Sequence, residues 1–475
     1  MRSSLSLSRT WLILGAITLV AAVVRAIGLD SGLWTDEIET LVRFARKPLS
    51  EIVGEYSKNN HPFYSILSHI ALTWFGDHPW SLRLPAVLFG VAGIPMVYIL
   101  GRVIGSSRDG VLAAGLLAMS YHHIWFSQNA RGYTALAFCV MLSSVLLVKG
   151  LQDGRTGWYI AYGVVGALGM YTHLTMAFVL LAHGLGWLWL TLRGTHALPR
   201  RRWSPALIGF ALAATVALLL YAPMLPQVYG AFEQPSRLRE VATPRWAVRE
   251  TLHGLEAGFS AWGALVAVLL FGVGLWGDRR EKWFVVTFVL LPAVLTAVGI
   301  VVLRLPAQPR YFFPLIGFGA LLVVRGAMVA GSWIAATGLA RIAPSRLGAT
   351  AVGTLLVGLL ILANTLSLGK LYGHPKQDYE GAMRYVEARR AIGEAIVTAG
   401  VAIRPYREYY GKSWESVCTP QDLQRLRLAS SRVWIVYTAP DYMPRELLAW
   451  IRRECGPAKV FPGTLSGGEV IVCAL

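Results

Sequence analysis

The chain has 475 residues, 55% of them hydrophobic and only 15% charged, with 17 tryptophans and a mean hydropathy of +0.51. That composition excludes an ordinary soluble domain and indicates a polytopic membrane protein. The excess of 44 Lys+Arg over 26 Asp+Glu, a net charge of +18, falls largely in short loops between apolar runs. It therefore reads as orientation by the positive-inside rule and not as nucleic-acid binding.

Charge-free runs of roughly 17 to 25 residues match the length that crosses about 30 Å of hydrocarbon. The first covers residues 11–28. Arg2 and Arg9 precede it as in a signal peptide, but Arg25 interrupts the cleavage region and a long polytopic chain follows, so an uncleaved first span is expected. A polar and aromatic loop follows over residues 29–81. Its apolar piece, residues 62–75, is short for a span and contains His69, which predicts a helix lying at the membrane surface.

Spans two, three and four are expected at residues 82–101, 110–125 and 132–148, with Arg102, Arg108, Lys149 and Arg155 marking one side. The uncharged stretch 156–192 would be ~55 Å long as one helix, too long for one bilayer. It must fold back, around Tyr171-Thr172-His173, into spans five and six. Arg193, Arg200, Arg201 and Arg202 return to the basic side.

Span seven is expected at 205–221, closed by Ala222-Pro223 and followed by a polar loop to Glu256. Spans eight and nine, at 257–276 and 283–302, are joined by the turn Asp278-Arg279-Arg280-Glu281-Lys282. Residues 311–340 read as one tilted span with Arg325 snorkelling towards Arg341 and Arg346. The last span is 347–368. Eleven spans, an odd number, put the termini on opposite sides. With the basic turns cytoplasmic, the first loop and the tail are both outside, although Arg43, Arg46, Lys47, Arg237 and Arg245 in the long loops weaken the asymmetry.

From Lys370 the composition becomes that of a soluble domain. Helices are expected at 378–390, 421–428 and 444–454, and strands at 394–398, 432–438 and 469–474. This alternation suggests a small α/β unit. Two domains follow: residues 1–369, membrane-embedded and including the first loop, and residues 370–475. Cys139 lies in an apolar run and packs there. Cys418, Cys455 and Cys473 lie in the tail, where an oxidising compartment would allow one disulfide, with three free thiols as the alternative. No C-x-x-C or H-E-x-x-H spacing suggests a metal site.

Chemistry points first to Trp34-Thr35-Asp36-Glu37, where adjacent carboxylates sit just beyond the first span. His61-Pro62-Phe63-Tyr64 and Ser127-Gln128-Asn129-Ala130-Arg131 are expected on the same membrane face. Together these stretches offer a base, hydrogen-bond donors and a cation. The bland alternatives are a solvated carboxylate pair at a helix end, a snorkelling Arg131 and a capping His61, with Trp34 and Trp125 as membrane-interface anchors.

Gly32 to Glu37, His61 to Tyr64, Leu82-Arg83-Leu84-Pro85 and Trp125 to Arg131 together resemble the bacterial relatives of protein O-mannosyltransferases, the GT-C branch that includes the aminoarabinose transferases. Tyr171-Thr172-His173, Pro309-Arg310-Tyr311 and Lys376-Gln377-Asp378-Tyr379 are similar too. The resemblance covers most of the chain and is strongest over the first 175 residues.

It implies a GT-C membrane domain, and transfer of a sugar from a polyprenyl-phosphate carrier to an acceptor at the outer face of a bacterial cell membrane, with inversion. The acceptor is a protein, a lipid or a polymer, and no nucleic acid takes part. The resemblance places the catalytic pair at Asp36 and Glu37, with Asp36 the base. His61, Tyr64, Gln128, Arg131, Tyr133, His173, Arg310 and Tyr311 become the substrate- and phosphate-binding candidates. Many relatives have Gln-Glu-Ala-Arg where this chain has Asn129, and some have an acidic residue where it has Asn60, so a divalent cation is left open as a cofactor.

The chemistry agrees. A glycosidase needs two carboxylates because an alkoxide leaves poorly without a proton. A phosphate-linked sugar already carries its leaving group, so one base and cations for the phosphate suffice. The rival class is a transporter or lipid-linked sugar flippase, which would place ionisable groups near the bilayer midplane, often with repeat symmetry. Here the polar candidates gather at one expected face and the chain shows no internal repeat.

Overall fold

The computed structural model describes residues 7–193, 203–233, 238–276, 282–337, 345–465 and 467–475. The chain divides into two compact units. One comprises Met1–Ile27, Leu49–Ser68 and Arg83–Leu368; the other comprises Gly28–Pro48, His69–Leu82 and Gly369–Leu475. The first loop, expected within the membrane domain, is thus shared between the units.

The first unit is helical. Among the described residues, eight helices are long and apolar enough to cross a membrane, including Ser8–Ala26, Pro79–Ile104, Tyr133–Asp153 and Lys282–Val302. The stretch 156–192 folds back as expected, into Thr156–Thr172 and Met176–Leu192. The expected third span is broken. Ser107–Ala118 ends at Met119, and Tyr121–Ser127 starts anew with the Ser120 hydroxyl accepting the N–H of His123.

Arg25 explains how this break survives in an apolar interior. Its guanidinium is wholly buried and donates to the carbonyl of Ala118 (3.0 Å) at the interrupted helix end and to that of Leu117 (3.4 Å), which also accepts the Ser120 N–H at 3.3 Å. It also donates to Ser127 Oγ at 3.1 Å and lies 2.7 Å from His123 Nδ1.

The polar loop expected after Pro223 is instead largely helical, as Leu225–Glu233, Leu238–Val241 and Pro244–Trp276. Its charges lower the hydropathy without breaking the helix, and the kink comes further on, at Ser260 with φ 61°. The apolar stretch Pro309–Ala336 is continuous, with Arg325 half-buried within it. Arg200 to Arg202, Arg237, the turn 278–281 and Arg341 lie outside the described residues.

Small residues let these helices pack closely. A Cβ on Gly163 would come within 2.8 Å of the Gly209 carbonyl, and one on Gly209 within 2.8 Å of the Tyr159 carbonyl, so Thr156–Thr172 and Trp203–Tyr221 meet backbone to backbone. Cys139 is buried, as its apolar setting requires.

The second unit is built on a five-stranded sheet: β1 (Ala395–Gly400), β2 (Glu415–Val417), β3 (Val433–Thr438), β4 (Lys459–Phe461) and β5 (Val470–Ala474), in the order β2-β1-β3-β5-β4. β1 runs parallel to β2 and β3, while β5 is antiparallel to β3 and β4. Helices Tyr379–Glu387, Pro420–Ala429 and Arg445–Glu454 match the expected ones. Val397, Leu423, Ile435, Leu447 and Ile451 form the core. The three-residue edge strands β2 and β4 are too short for an alternation to show in sequence. Cys455 and Cys473 form a disulfide, and Cys418 is free and exposed.

Candidate active site

In the second unit the carboxylate pair opens a five-residue helix, Thr35–Glu39, that other segments hold in place. Its first turn leaves backbone N–H groups without helical partners. One of them, from Trp34, donates to Glu37 Oε2 at 3.4 Å. The other carboxylate oxygen of Glu37 lies 3.3 Å from Lys376 Nζ, and Glu37 is wholly buried. The N–H and hydroxyl of Thr35 both donate to Gln377 Oε1, at 2.9 and 2.8 Å. Gln377 Nε2 in turn donates to Thr438 Oγ1 at the end of β3, at 3.1 Å.

The two carboxylates therefore differ in kind. Glu37 caps its own helix and neutralises a buried lysine, whereas Asp36 between them is half-buried. The Tyr379 phenol stands 2.6 Å from Thr35 Oγ1. Burial pushes its pKa up, its hydrogen bonds with Thr35 and Gln377 oppose this, and the neighbouring Tyr410 and Asp36 add to the rise. Trp34, a candidate interface anchor, is buried at 6% exposure and so cannot serve as one.

In the first unit four separate segments bring together His61, Arg131, Tyr133, His173, Arg310 and Tyr311. His61 precedes the helix Pro62–Phe75. Arg131 lies in the turn between Tyr121–Ser127 and Tyr133–Asp153, His173 in the break after Thr172, and Arg310 in the 3-10 turn Pro309–Leu315. The His61 ring centroid is 5.0 Å from that of Tyr133 and 5.0 Å from that of His173; His173 is 6.0 Å from Tyr311. Arg131 Cζ is 5.9 Å from the centre of the Tyr133 ring.

Arg131 and His61 are buried, at 2% and 3% exposure. Burial, then Arg131, His173 and Arg310, hold the His61 imidazole well below its ordinary pKa. Burial, then Arg131 and Arg310, push His173 down to about 3. The cluster thus presents two arginine cations and two uncharged imidazoles. Neither His61 ring nitrogen makes a well-formed hydrogen bond, although the Thr172 backbone weakly favours its proton. Such a set suits an anion with several oxygens.

One candidate does other work. Gln128 Nε2 donates to the carbonyls of Arg25 (3.0 Å) and Ile27 (2.6 Å), closing the C-terminal end of the helix Leu7–Ala26, so it is structural. Tyr64 is wholly buried in the interior.

Several contributors carried too little signal to be singled out. Lys376 and Gln377 were visible only as a stretch with no role, and Thr35 and Thr175 are unremarkable threonines. Gly132 matters because a Cβ there would lie 2.7 Å from Thr172 Cγ2 and 3.0 Å from His61 Nδ1. Among the described residues no three His, Cys, Asp or Glu side chains gather as metal ligands.

The family described as dolichyl-phosphate-mannose-protein mannosyltransferase matches residues 59–226. YkcB of Bacillus subtilis, named as a candidate mannosyltransferase, is 24% identical over 131 residues, covering 28% of this chain and 18% of that protein. Among solved structures, ArnT from Cupriavidus metallidurans bound to undecaprenyl phosphate is 14% identical, with 99% of this chain and 98% of that one covered at a TM-score of 0.52. The Archaeoglobus fulgidus oligosaccharyltransferase in its apo form is 14% identical, with 98% and 74% covered at 0.56. The same organism's oligosaccharyltransferase AglB, in complex with an inhibitory peptide and a dolichol-phosphate, is 13% identical, with 98% and 74% covered at 0.53.

Proposed function

We propose that this chain, whose fold is that of the GT-C glycosyltransferases, moves a sugar from a polyprenyl-phosphate carrier to an acceptor hydroxyl with inversion. The observation that carries this reading is the cluster of Arg131 and Arg310 with the uncharged His61 and His173, a site for a phosphate. The undecaprenyl phosphate of the ArnT structure and the dolichol-phosphate of the AglB structure support a lipid-linked donor.

Asp36 removes the proton of the acceptor hydroxyl as that oxygen attacks the anomeric carbon. The bond to the phosphate oxygen breaks, and its electron pair stays with the phosphate, whose charge Arg131 and Arg310 stabilise. One displacement inverts the centre. Glu37 is tied to Lys376 and positions the turn that carries Asp36. The acceptor is a protein, lipid or polymer.

The reaction is placed on the outer face of a bacterial cell membrane. The disulfide Cys455–Cys473 supports this, because such bonds persist in oxidising compartments.

Asp36→Asn tests the reading. The variant should fold and bind the lipid-linked donor normally, while transfer falls by about 10² to 10⁴. Near-normal transfer would refute Asp36 as the base. Lost donor binding would make it structural. A flippase would move labelled lipid across vesicles without cleaving it, which the accessibility of the label from outside the vesicles detects.

A further inference from the structure

We propose that Thr175 fixes His173 in the tautomer with its proton on Nε2, so that His173 serves as an uncharged N–H donor to the donor-substrate phosphate. This rests on the transferase reading given above.

His173 occupies the break between Thr156–Thr172 and Met176–Leu192 with extended backbone, φ −161° and ψ 133°. Its Nδ1 faces Thr175 twice. The Thr175 backbone N–H lies 3.2 Å from Nδ1 and its Oγ1 lies 2.8 Å from the same atom. A hydroxyl could donate or accept, but a backbone N–H can only donate. Nδ1 must therefore offer its lone pair, and the single proton of a neutral imidazole sits on Nε2.

Protonating Nδ1 as well would set two N–H groups against each other. The groups around the ring oppose that second proton too. Arg131 and Arg310 are cations, and His61, Tyr133 and Tyr311 supply no negative charge. The tautomer is thus selected by geometry and the charge state by the neighbours.

The chemical use is specific. Two arginines already supply the cationic charge for a phosphate, and a third cation would hold the released carrier phosphate more tightly. A neutral imidazole N–H adds a directed hydrogen bond without that charge, and it is too weak an acid to pass its proton to the leaving oxygen. Thr175 is a positioning residue, and His173 is the group that touches substrate.

The two side-chain amides separate the possibilities. In His173→Gln the amide N–H reaches the place of Nε2–H, whereas in His173→Asn it reaches only that of Nδ1. Transfer should stay within about tenfold of wild type in the first and fall by roughly 10² to 10³, the usual effect of one lost oxyanion donor, in the second. Thr175→Val should weaken transfer and Thr175→Ser restore it. Equal activity of His173→Gln and His173→Asn would overturn the assignment.

Nitrogen-15 spectra of histidine-labelled protein in nanodiscs, assigned by difference from His173→Gln, read the tautomer with no substrate present. An Nε2–H tautomer unchanged from pH 5 to 8, whose Nε2 signal moves on adding undecaprenyl phosphate, is expected. An imidazolium, an Nδ1–H tautomer, or an Nε2 signal unmoved while the lipid binds would overturn the proposal. A wild-type protein that binds no lipid would instead refute the transferase reading and the phosphate role with it, while the substrate-free spectrum still decides the tautomer.

Discussion

Lys376 Nζ lies 3.3 Å from Glu37 Oε1, and both side chains are out of water, at 9% and 0% exposure. Removing one partner of such a pair strands a buried charge and typically costs roughly 3–5 kcal/mol, while removing both costs far less. Glu37→Gln and Lys376→Met should therefore each lower the melting temperature sharply, and the double variant should recover much of the loss. Thermal scanning of the four forms in detergent checks this. Additive losses would mean that the pair is not coupled.

Arg131 should grip two phosphate oxygens at once, which a lysine cannot do. Arg131→Lys should keep partial transfer activity, and Arg131→Ala very little. Titration of each variant with lipid-linked donor measures the effect, and indistinguishable affinities would remove Arg131 from the site.

Gly132→Ala should disturb the same cluster without touching charge. Its new methyl group would meet Thr172 Cγ2 at 2.7 Å and His61 Nδ1 at 3.0 Å, so the imidazole or the Thr172 turn must shift. A misplacement of that order can cost about 10² in rate. The expected result is weaker donor binding with little change in unfolding temperature, and unaltered binding would show that His61 tolerates displacement.

Cys418 offers a topological test with no substitution at all. It is exposed, Cys139 is buried, and Cys455 and Cys473 are bonded to each other. Intact cells treated with a membrane-impermeant maleimide should label the protein at Cys418. Labelling only after permeabilisation would place the C-terminal unit in the cytoplasm.

Cys455 and Cys473, 18 positions apart, close a loop that chain-entropy arguments value at about 3 kcal/mol. Cys455→Ser paired with Cys473→Ala should destabilise the C-terminal unit by that order. Limited proteolysis of this variant beside wild type reads the difference, and equal protease resistance would count against it.

The helices were legible where a membrane span needs only a long uncharged run, and the fold-back near His173 followed from bilayer thickness alone. The break at Met119 was not, because nothing local terminates Ser107–Ala118; it depends on Arg25, some 90 residues earlier, supplying donors to the carbonyls there. The helices beyond Pro244 were hidden by Arg245, Arg249, Glu250 and Glu256, which depress hydropathy while leaving helix propensity intact. Of the candidate site, the residue types were visible and their partners were not. Asp36 and Glu37 are adjacent carboxylates in sequence, and the partners that set Glu37 apart, the Trp34 N–H and Lys376 from 339 positions away, appear only in the fold.

That distance has a consequence for biosynthesis. A five-residue helix has almost no stability of its own, since a helical turn is costly to nucleate. Thr35–Glu39 takes its partners from Lys376 and Gln377, and Gln377 is itself anchored to Thr438 at the end of β3. While the ribosome is still making the intervening helices, the nascent Asp36 turn has none of them. The turn that carries Asp36 and Glu37 therefore gains these partners only once the chain has been made through Thr438, so that a polypeptide stalled before residue 376 is left with an unorganised carboxylate pair.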